Sequence, residues 1–431
     1  MRVLWIGGSG CYVPSHQRTG GYNGGGWMAS LQNEMVKKDG ITLGIAFCKD
    51  DEPDKVVQDG VAYYPIPNHS KSKKDKLLDF FKTNDVTRDE VVWPYYEERL
   101  RKVVDDFRPD VVHIFGSELY QSLAALVTKK MSIPTVLHIQ GLLSLSIYIF
   151  LPPGVSKWQF VMSGKGLSGK FHNYQYLSYW KRSVYREKAI LKAVPHVLGR
   201  TDWDRQALKV LNPNAQYHYG GEILRDVFYE EKKRQMPTKL TITTTISFPT
   251  YKGYDVILNV ANILKEEIGL DFEWNVYGNV EPAFMEKHTG LKHENLNINL
   301  KGVASAEQLR NALLGSTLYF HPSYVENSPN SVGEAQLVGI PVVASRVGGT
   351  DSMVEHGKTG FLYPVTDPYM AAYYIKRLAE SVAENVAIGK KAREVALVRH
   401  DKMRIVKELL DTYHEIKVFP SETLGDNRRK L

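Results

Sequence analysis

The chain is poor in the features that mark several large classes of protein. Only two of its 431 residues are cysteine, Cys11 and Cys48, which excludes a disulfide-rich secreted scaffold. Low-complexity tracts and a repeat of fixed period are also absent, which excludes a disordered chain and a solenoid. An apolar stretch at residues 142–155 is interrupted by serine and proline and is too short to cross a bilayer. We therefore expect a globular protein rather than a membrane-spanning one.

The beginning of the chain indicates its compartment. The sequence MRVLWIGG runs directly into an apolar strand, without a basic segment followed by a long apolar one. We expect a cytoplasmic protein with reduced thiols, for which peripheral attachment to the inner face of the membrane stays open.

The charge of the chain predicts an anionic partner. The formal net charge is +7 and the isoelectric point is about 9.0. Zinc-finger, RNA-binding-domain and helix-turn-helix signatures are missing, so nucleic acid is not the expected partner. Two stretches, residues 69–82 and 157–192, mix basic and aromatic residues, which predicts binding to an anionic membrane surface. The alternative is that they are solvated faces and core aromatics of the first domain.

Length and pattern predict two α/β domains. A chain of 431 residues exceeds what one hydrophobic core organises, and 43% of it is hydrophobic. Apolar strands alternate with segments of helical spacing in both halves, as in doubly wound sheets. We place the first domain at residues 1–216 and the second at 217–399, which ends in one long helix from 367. Residues 400–416 then form a final helix, and 417–431 a tail.

The most informative stretch of the sequence is HPSYVENSPNSVGEAQLVGIPVVASRVGG. It places two carboxylates, Glu326 and Glu334, around a predicted helix start whose backbone N–H groups would point, unpaired, into a cleft. These donors are expected from Asn330, Ser331 and Val332. Such a helix start binds anions, and carboxylates accept hydrogen bonds from paired hydroxyls. A nucleotide sugar suits this arrangement, because it has a diphosphate in the middle and hydroxyl-rich sugars at both ends. The alternative is a capping box, in which Glu334 bonds back to the backbone of Ser331.

This stretch resembles the donor-binding half of the glycosyltransferase group 1 family, whose hallmark is two glutamates separated by seven residues. Here the hallmark is Glu326 to Glu334, preceded by His-Pro-Ser and followed by Gly-Ile-Pro-Val-Val and Gly-Gly. The family consists of retaining enzymes of GT-B fold, in which two Rossmann-like domains face a cleft. The resemblance extends more thinly over residues 1–416 and implies that the last helix crosses back to the first domain. It also implies that Glu326 orients the donor sugar and that Glu334 holds the ribose hydroxyls.

The resemblance singles out residues of the first domain as well. A glycine-rich loop follows the first strand, and the family places such a loop near the donor diphosphate, so Gly25 and Gly26 are expected there. His138 ends an apolar strand, at the sheet edge where open parallel sheets bind ligands. Taken alone, such a histidine is more often structural, but similar enzymes have a histidine at the matching strand end that contacts the donor sugar. His138 is therefore the catalytic candidate of this domain, and His113 on the neighbouring strand is not.

The second domain offers a phosphate-binding cation. Lys252 precedes a glycine and a predicted helix, where its ammonium can meet a phosphate. The family carries a lysine there and an arginine at the preceding strand end, both on the diphosphate. This chain departs from that pattern, because Ser247 stands at the arginine position; Arg225 or the backbone near Ser331 is expected to compensate. Gly278, in the turn after the next strand, completes the expected donor site.

These features predict a hexosyltransferase with a UDP-sugar as donor and a hydroxyl of a glycan or lipid-linked molecule as acceptor. That the anomeric configuration is retained is implied by the resemblance alone. Bacterial surface polysaccharide or glycolipid synthesis is the expected setting. No cofactor is expected, and the absence of a histidine and carboxylate cluster of ligand spacing predicts no metal. The Glu326→Ala variant is expected to lose turnover with little change in melting temperature.

Other functions stay open beside this prediction. One is a sugar-nucleotide epimerase of the same fold, which would convert a donor without any acceptor. Another is a non-catalytic, membrane-associated scaffold that has lost the chemistry. A glycosidase, which also employs a pair of carboxylates, is disfavoured because Glu334 at a capping position is a poor nucleophile.

Overall fold

A computed structural model describes residues 1–7, 26–49, 55–69, 89–248 and 250–418. The strands of the first sheet are β1 (Arg2–Gly7), β2 (Thr42–Cys48), β3 (Val56–Gln58), β4 (Val61–Ile66), β5 (Val111–Phe115), β6 (Thr135–His138), β7 (His196–Gly199) and β8 (Gln216–Tyr219). Those of the second sheet are β9 (Leu240–Thr245), β10 (Phe272–Tyr277), β11 (Ile298–Gly302), β12 (Leu318–His321), β13 (Val342–Ser345) and β14 (Gly360–Tyr363).

Helices connect these strands and cover the sheets. In the first half they are α1 (Gly26–Met35), α2 (Asp89–Phe107), α3 (Ala124–Lys130), α4 (Leu143–Ser146), α5 (Lys157–Met162), α6 (Gly166–Ala193) and α7 (Asp202–Leu211). In the second half they are α8 (Tyr254–Asn262), α9 (Ala283–Thr289), α10 (Ala306–Leu314), α11 (Asn330–Val338), α12 (Pro368–Glu380), α13 (Val382–Arg399) and α14 (Lys402–Val418). Within the described ranges, no helix combines the length and the apolar character that crossing a membrane requires.

The first sheet has the strand order β3-β4-β2-β1-β5-β6-β7-β8, and its neighbouring strands are parallel except for β3 with β4. Its strands are nearly continuous apolar runs because both faces of the sheet are buried. In β1, Leu4 and Ile6 pack towards α2 and α3, whereas Val3 and Trp5 pack towards α1 and α14. Chain order reverses between β1 and β5, so the loops after these strands diverge and leave a crevice at the carboxyl edge.

The second sheet repeats this plan with the order β11-β10-β9-β12-β13-β14, in which all neighbours are parallel. Alternate residues of β12 belong to two different hydrophobic cores, one on each face of the sheet. Leu318 and Phe320 pack with α8 and α12, whereas Tyr319 packs with α11. The order reverses between β9 and β12, which places a second crevice at their carboxyl ends. The predicted α/β architecture with two doubly wound sheets is confirmed.

Two local expectations differ from the structure. The predicted domain boundary after residue 216 cuts through β8, which pairs with β7 over its whole length, so the first sheet extends to Tyr219. The predicted single helix from 367 to 399 is two helices, because the backbone of Ser381 is extended at φ −121° and ψ 94°. The Ser381 hydroxyl then caps α13 by accepting from the N–H of Glu384 at 3.3 Å.

The final helix, α14, packs on the first domain although it follows the second in the chain. Its buried face joins the core that contains β1. Tyr413 is fully buried there, and its hydroxyl accepts from Trp5 Nε1 at 3.1 Å and lies 2.6 Å from His113 Nδ1. His113 therefore fastens α14 to the first sheet. Of the predicted tail at 417–431, the first two residues belong to α14 and the others lie outside the described residues.

Candidate active site

A cleft of about 390 Å³ lies between the two domains, at the carboxyl edges of both sheets. The first domain and the linker line it with Gly26, Trp27, Gln140, Arg200, Leu224 and Arg225. The second domain contributes Thr245, Ile246, Ser247, Lys252, Tyr277, Gly278, Ala304, Leu309, His321, Glu326, Ser328, Pro329, Asn330, Ser331 and Glu334. The chain therefore brings most of the predicted donor-site residues to one cavity of ligand size.

Glu326 is the centre of one charged group in this cleft. It follows β12 and is ion-paired with Lys252, whose Nζ lies 2.5 Å from Glu326 Oε1. His321 Nε2 lies 3.1 Å from the same oxygen. Burial alone would raise the pKa of Glu326, but the Lys252 ammonium and the contact with His321 hold that pKa well below its usual range. The pair is thus ionised, and the pKa of Lys252 is raised because attraction to Glu326 outweighs the effect of burial.

Glu334 belongs to a second charged group. Arg225 from the linker donates to both of its oxygens, from Nε to Oε1 and from Nη2 to Oε2, each at 2.8 Å. This bidentate geometry holds the carboxylate plane at the cleft wall. Burial raises the pKa of Glu334, and Arg225 opposes that rise. Gly26 leaves room for the arginine, because a Cβ at that position would lie 3.3 Å from the Arg225 methylenes.

The capping-box alternative does not form. The helix α11 begins at Asn330 with Pro329 as its N-cap, so Ser331 lies inside the helix, and the Glu334 carboxylate binds Arg225 instead. In the part of the chain that the structure describes, the N–H groups of Asn330 and Ser331 have no acceptor, which leaves them available at the cleft. The expectation for Val332 is wrong: its N–H donates to Pro329 O at 3.0 Å and its side chain is fully buried in the core.

His138 lies behind the wall of the cleft rather than at its surface. It is 1% exposed, and its ring lies 5.2 Å from that of Trp27, which does line the cleft. His138 Nε2 is 3.1 Å from Gly220 O and 3.3 Å from Arg200 Nε. Burial and the Arg200 charge hold the pKa of His138 well below its usual value, so the ring is neutral. Its catalytic role stays a prediction.

Arg200 and His321 are two cleft residues that the sequence reasoning missed. Arg200 follows β7; its Nη1 donates to Glu222 at 2.9 Å and its guanidinium stacks on Trp27 at 4.3 Å. Its Nη2 is buried and has no acceptor among the described residues, so it offers a donor at the cleft wall. His321 ends β12 as His138 ends β6, and that shared strand-end signal could have found it.

The glycines of the site allow close backbone contacts. Gly278 has φ +121°, and a Cβ there would collide with the carbonyl oxygen of Ile246 at the end of β9. Gly25 lies outside the described residues. Ser247 lines the cleft where the resemblance implies an arginine, so no side-chain charge comes from that position. Arg225 does reach the cleft, but its guanidinium is held by Glu334.

An Asp-X-Asp sequence, at Asp202 and Asp204, bears on the metal prediction. Asp204 is fully buried and accepts from the N–H of Arg200 at 2.9 Å and from the Tyr217 hydroxyl at 2.7 Å, as part of the capping of α7. Asp202 is exposed and pairs with Arg205 at 2.7 Å. The two carboxylates thus lie at the start of α7 and have different partners, one buried and one exposed. Among the described residues, histidine, cysteine and carboxylates form no cluster of three that could hold a metal.

Comparison with known proteins agrees with the hallmark in this cleft. Residues 228–395 match the family model "Glycosyl transferases group 1". The resemblance to this family that the sequence indicates is therefore confirmed over these residues, which lie in the second half of the chain and include Glu326 and Glu334. The chain is 28% identical over 185 residues to the amylovoran biosynthesis glycosyltransferase AmsK of Erwinia amylovora, an alignment that spans 40% of this chain and 44% of the relative. It spans less than half the length of the first curated relatives that it matches.

Solved structures show the same fold over nearly the whole chain. Sucrose-phosphate synthase from Thermosynechococcus elongatus superposes with a TM-score of 0.70 at 16% identity, covering 96% of this chain and 99% of that one. Anabaena HepE in complex with UDP-glucose superposes with a TM-score of 0.63 at 16% identity, covering 96% and 100%. The predicted GT-B fold is confirmed.

A further carboxylate of this protein lies close to the cleft. Glu118 follows β5 and accepts from the N–H of Gly141 at 3.1 Å, next to the cleft residue Gln140. Burial raises the pKa of Glu118 to about 7, and the charge of Glu187 adds to the rise. This carboxyl group therefore titrates near neutral pH at the first-domain side of the site.

Proposed function

We propose that this protein transfers a sugar from a nucleoside diphosphate to an acceptor hydroxyl, with retained anomeric configuration. The observation that carries the proposal is a single interdomain cleft in which two carboxylates flank a lysine and an open helix start. A diphosphate fits between Lys252 and the N–H groups of Asn330 and Ser331. Glu334 then accepts from the ribose hydroxyls and Glu326 from hydroxyls of the donor sugar.

The reaction breaks the bond between the anomeric carbon and a diphosphate oxygen, and negative charge develops on the leaving group. Lys252 is positioned to stabilise that charge, together with the dipole of α11. Because Lys252 is paired with Glu326 when no donor is bound, the incoming diphosphate shares an ammonium that is already oriented. His321 restrains Glu326 from the other side at 3.1 Å, so the carboxylate keeps its place when Lys252 turns towards the phosphate.

Arg200 supplies a second cationic donor, from the first domain. Its Nη2 group is buried and has no acceptor among the described residues, so a small shift of the side chain towards the cleft would let it donate to a hydroxyl or phosphate oxygen of the bound donor. With Lys252 and the helix start, it takes over the role of the arginine that is missing at Ser247. These groups neutralise the leaving group without a metal ion, so the proposed reaction proceeds in the presence of EDTA.

The donor and the setting are inferred from the relatives. HepE was crystallised with UDP-glucose, which supports a UDP-sugar as donor. The amylovoran biosynthesis glycosyltransferase supports a role in bacterial polysaccharide synthesis. Hexosyl transfer in the cytoplasm to a glycan or lipid-linked acceptor is the part of the proposal that comes from the sequence alone.

A thermal-shift screen against nucleoside diphosphates and their sugars, with EDTA present, tests the donor site, since a ligand of the native state raises its melting temperature. We expect one nucleotide to stabilise the protein and Glu334→Ala to abolish that shift. Glu307→Ala, in an exposed position of α10, is the matched control and should keep it. No shift with any nucleotide would contradict the proposal. Incubation with the stabilising sugar nucleotide alone then separates a transferase from an epimerase, because only an epimerase forms a new sugar nucleotide.

A further inference from the structure

The positive charge of the chain is concentrated in one segment. Residues 119–186 contain eight lysines and arginines and no aspartate or glutamate. The remaining 363 residues carry 47 basic and 48 acidic side chains and are nearly neutral. The whole excess of +7 therefore arises from this acid-free segment, which runs through β6, α4, α5 and most of α6.

The same segment exposes large apolar side chains. Tyr148 is 85% exposed, Trp158 is 69% exposed and Leu167 is 86% exposed. Trp158 and Met162 are four residues apart on α5, so they share one face of that helix, opposite the buried Phe160. Several large apolar side chains that are exposed on one segment are typical of an interaction surface.

The elements that carry these exposed side chains are tied to one another. Phe160 of α5 packs against Phe150 at 5.9 Å, which ties the helix to the segment that carries Tyr148. Asn173 of α6 donates to Phe160 O at 2.9 Å, which ties α5 to the start of α6 and to Leu167. Lys157 and Lys165 are exposed between the apolar side chains, and Lys170 is half-buried beside them. We name the surface of Tyr148, Trp158, Leu167, Lys157, Lys165 and Lys170 the basic-apolar patch.

We infer that the basic-apolar patch docks this protein on an anionic phospholipid bilayer. Lysine ammonium groups pair with phosphate headgroups, while tryptophan, tyrosine and leucine enter the boundary between headgroups and acyl chains. An acidic protein partner would meet the charges, but it would leave the projecting apolar side chains without a matching partner. The bilayer accommodates both, because its interface is anionic and apolar within a few ångströms.

The patch is connected to the candidate active site. Phe150 lies beneath it and packs across the domain interface on Tyr251, at 6.0 Å between ring centroids. Tyr251 directly precedes Lys252, which lines the cleft. The segment that carries the patch is thus connected to the cleft residue Lys252 through two aromatic side chains in contact. The other predicted membrane segment, residues 69–82, lies outside the described residues beyond His69.

Co-sedimentation of the full chain with vesicles tests the inference. The probes are vesicles of phosphatidylcholine alone and vesicles with roughly one third phosphatidylglycerol. We expect selective binding to the anionic vesicles, and a loss of at least roughly tenfold in partition coefficient for Lys157→Glu/Lys165→Glu/Lys170→Glu. Trp158→Ser/Leu167→Ser should lose binding to a similar degree, because the charges alone give weak attachment.

Matched controls on the second domain separate the patch from overall charge and hydrophobicity. Lys376→Glu/Lys390→Glu/Lys391→Glu makes the same change of net charge on α12 and α13, and Val386→Ser/Val398→Ser removes two exposed apolar side chains from α13. Both controls should bind like the unmodified chain. Equal loss in the charge control, or unchanged binding in the patch variants, overturns the inference. An unchanged melting temperature without nucleotide shows that each variant is folded, so failure here is independent of the proposed function.

Discussion

The ion pair of Lys252 and Glu326 leads to a prediction about both stability and activity, because the two buried side chains compensate each other and both take part in the proposed reaction. Both side chains are largely buried, and their charged atoms lie 2.5 Å apart. Removal of one partner from a buried ion pair leaves an uncompensated charge and costs about 3–5 kcal/mol. We therefore expect Glu326→Ala to destabilise the second domain by that amount, contrary to the expectation from sequence of an unchanged melting temperature.

The loss of unfolding free energy in Glu326→Ala can be converted into a change of melting temperature. For a domain of this size each kcal/mol corresponds to about 2–4 °C, so Glu326→Ala should lower the transition of the second domain by roughly 10 °C. Lys252→Met/Glu326→Gln replaces both charges by neutral groups of similar volume. Since a neutral pair needs no compensation, this double variant should regain most of the lost stability.

Activity should respond differently from stability. The double variant keeps the fold but lacks the ammonium for the leaving group and the carboxylate for the donor sugar, so turnover should fall by at least about 100-fold. Differential scanning calorimetry and a transfer assay on the same samples measure the two effects. The reasoning is refuted if Glu326→Ala melts within about 2 °C of the unmodified protein, or if the double variant is as unstable as the single one.

Three further predictions follow from the other charged groups. Arg225→Ala removes the partner of the buried Glu334, so the raised pKa of that carboxyl rises further. When the pH is lowered from about 8 to about 6, nucleotide affinity should therefore decline more in this variant than in the unmodified protein. Calorimetric titration with the nucleotide measures the difference. The pKa of Glu118 in the folded state is raised to about 7. Between about pH 4.5 and 7 the folded state therefore binds more protons than the unfolded state. The free energy of unfolding should fall by at most about 3 kcal/mol as the pH rises through that window. Urea unfolding of Glu118→Gln should lack this component, and an identical pH slope in both proteins would contradict it. Finally, transfer should proceed at an unchanged rate in EDTA, and abolished transfer would show that a metal is required.

Local sequence signals were sufficient for the architecture. The apolar runs that became β1, β5 and β12 are short and bounded by turns, and burial on both faces of a parallel sheet requires this pattern. The spacing from Glu326 to Glu334 also specifies a loop followed by a helix start, because the intervening serine, proline and asparagine residues stop a strand and begin a helix. Both features depend on neighbours within about ten residues.

Tertiary structure alone decided which partner each functional side chain takes. Glu334 could bond to the backbone three residues away, yet it binds Arg225, which is 109 residues distant in the chain. Lys252 and Glu326 are separated by 74 residues and meet because β9 and β12 are neighbours in the sheet. His138 ends β6, where a ligand contact is expected, but Trp27 of α1 lies between it and the cleft. Spacing along a chain determines which elements form, whereas the charge, burial and access of a side chain depend on residues that only folding brings next to it.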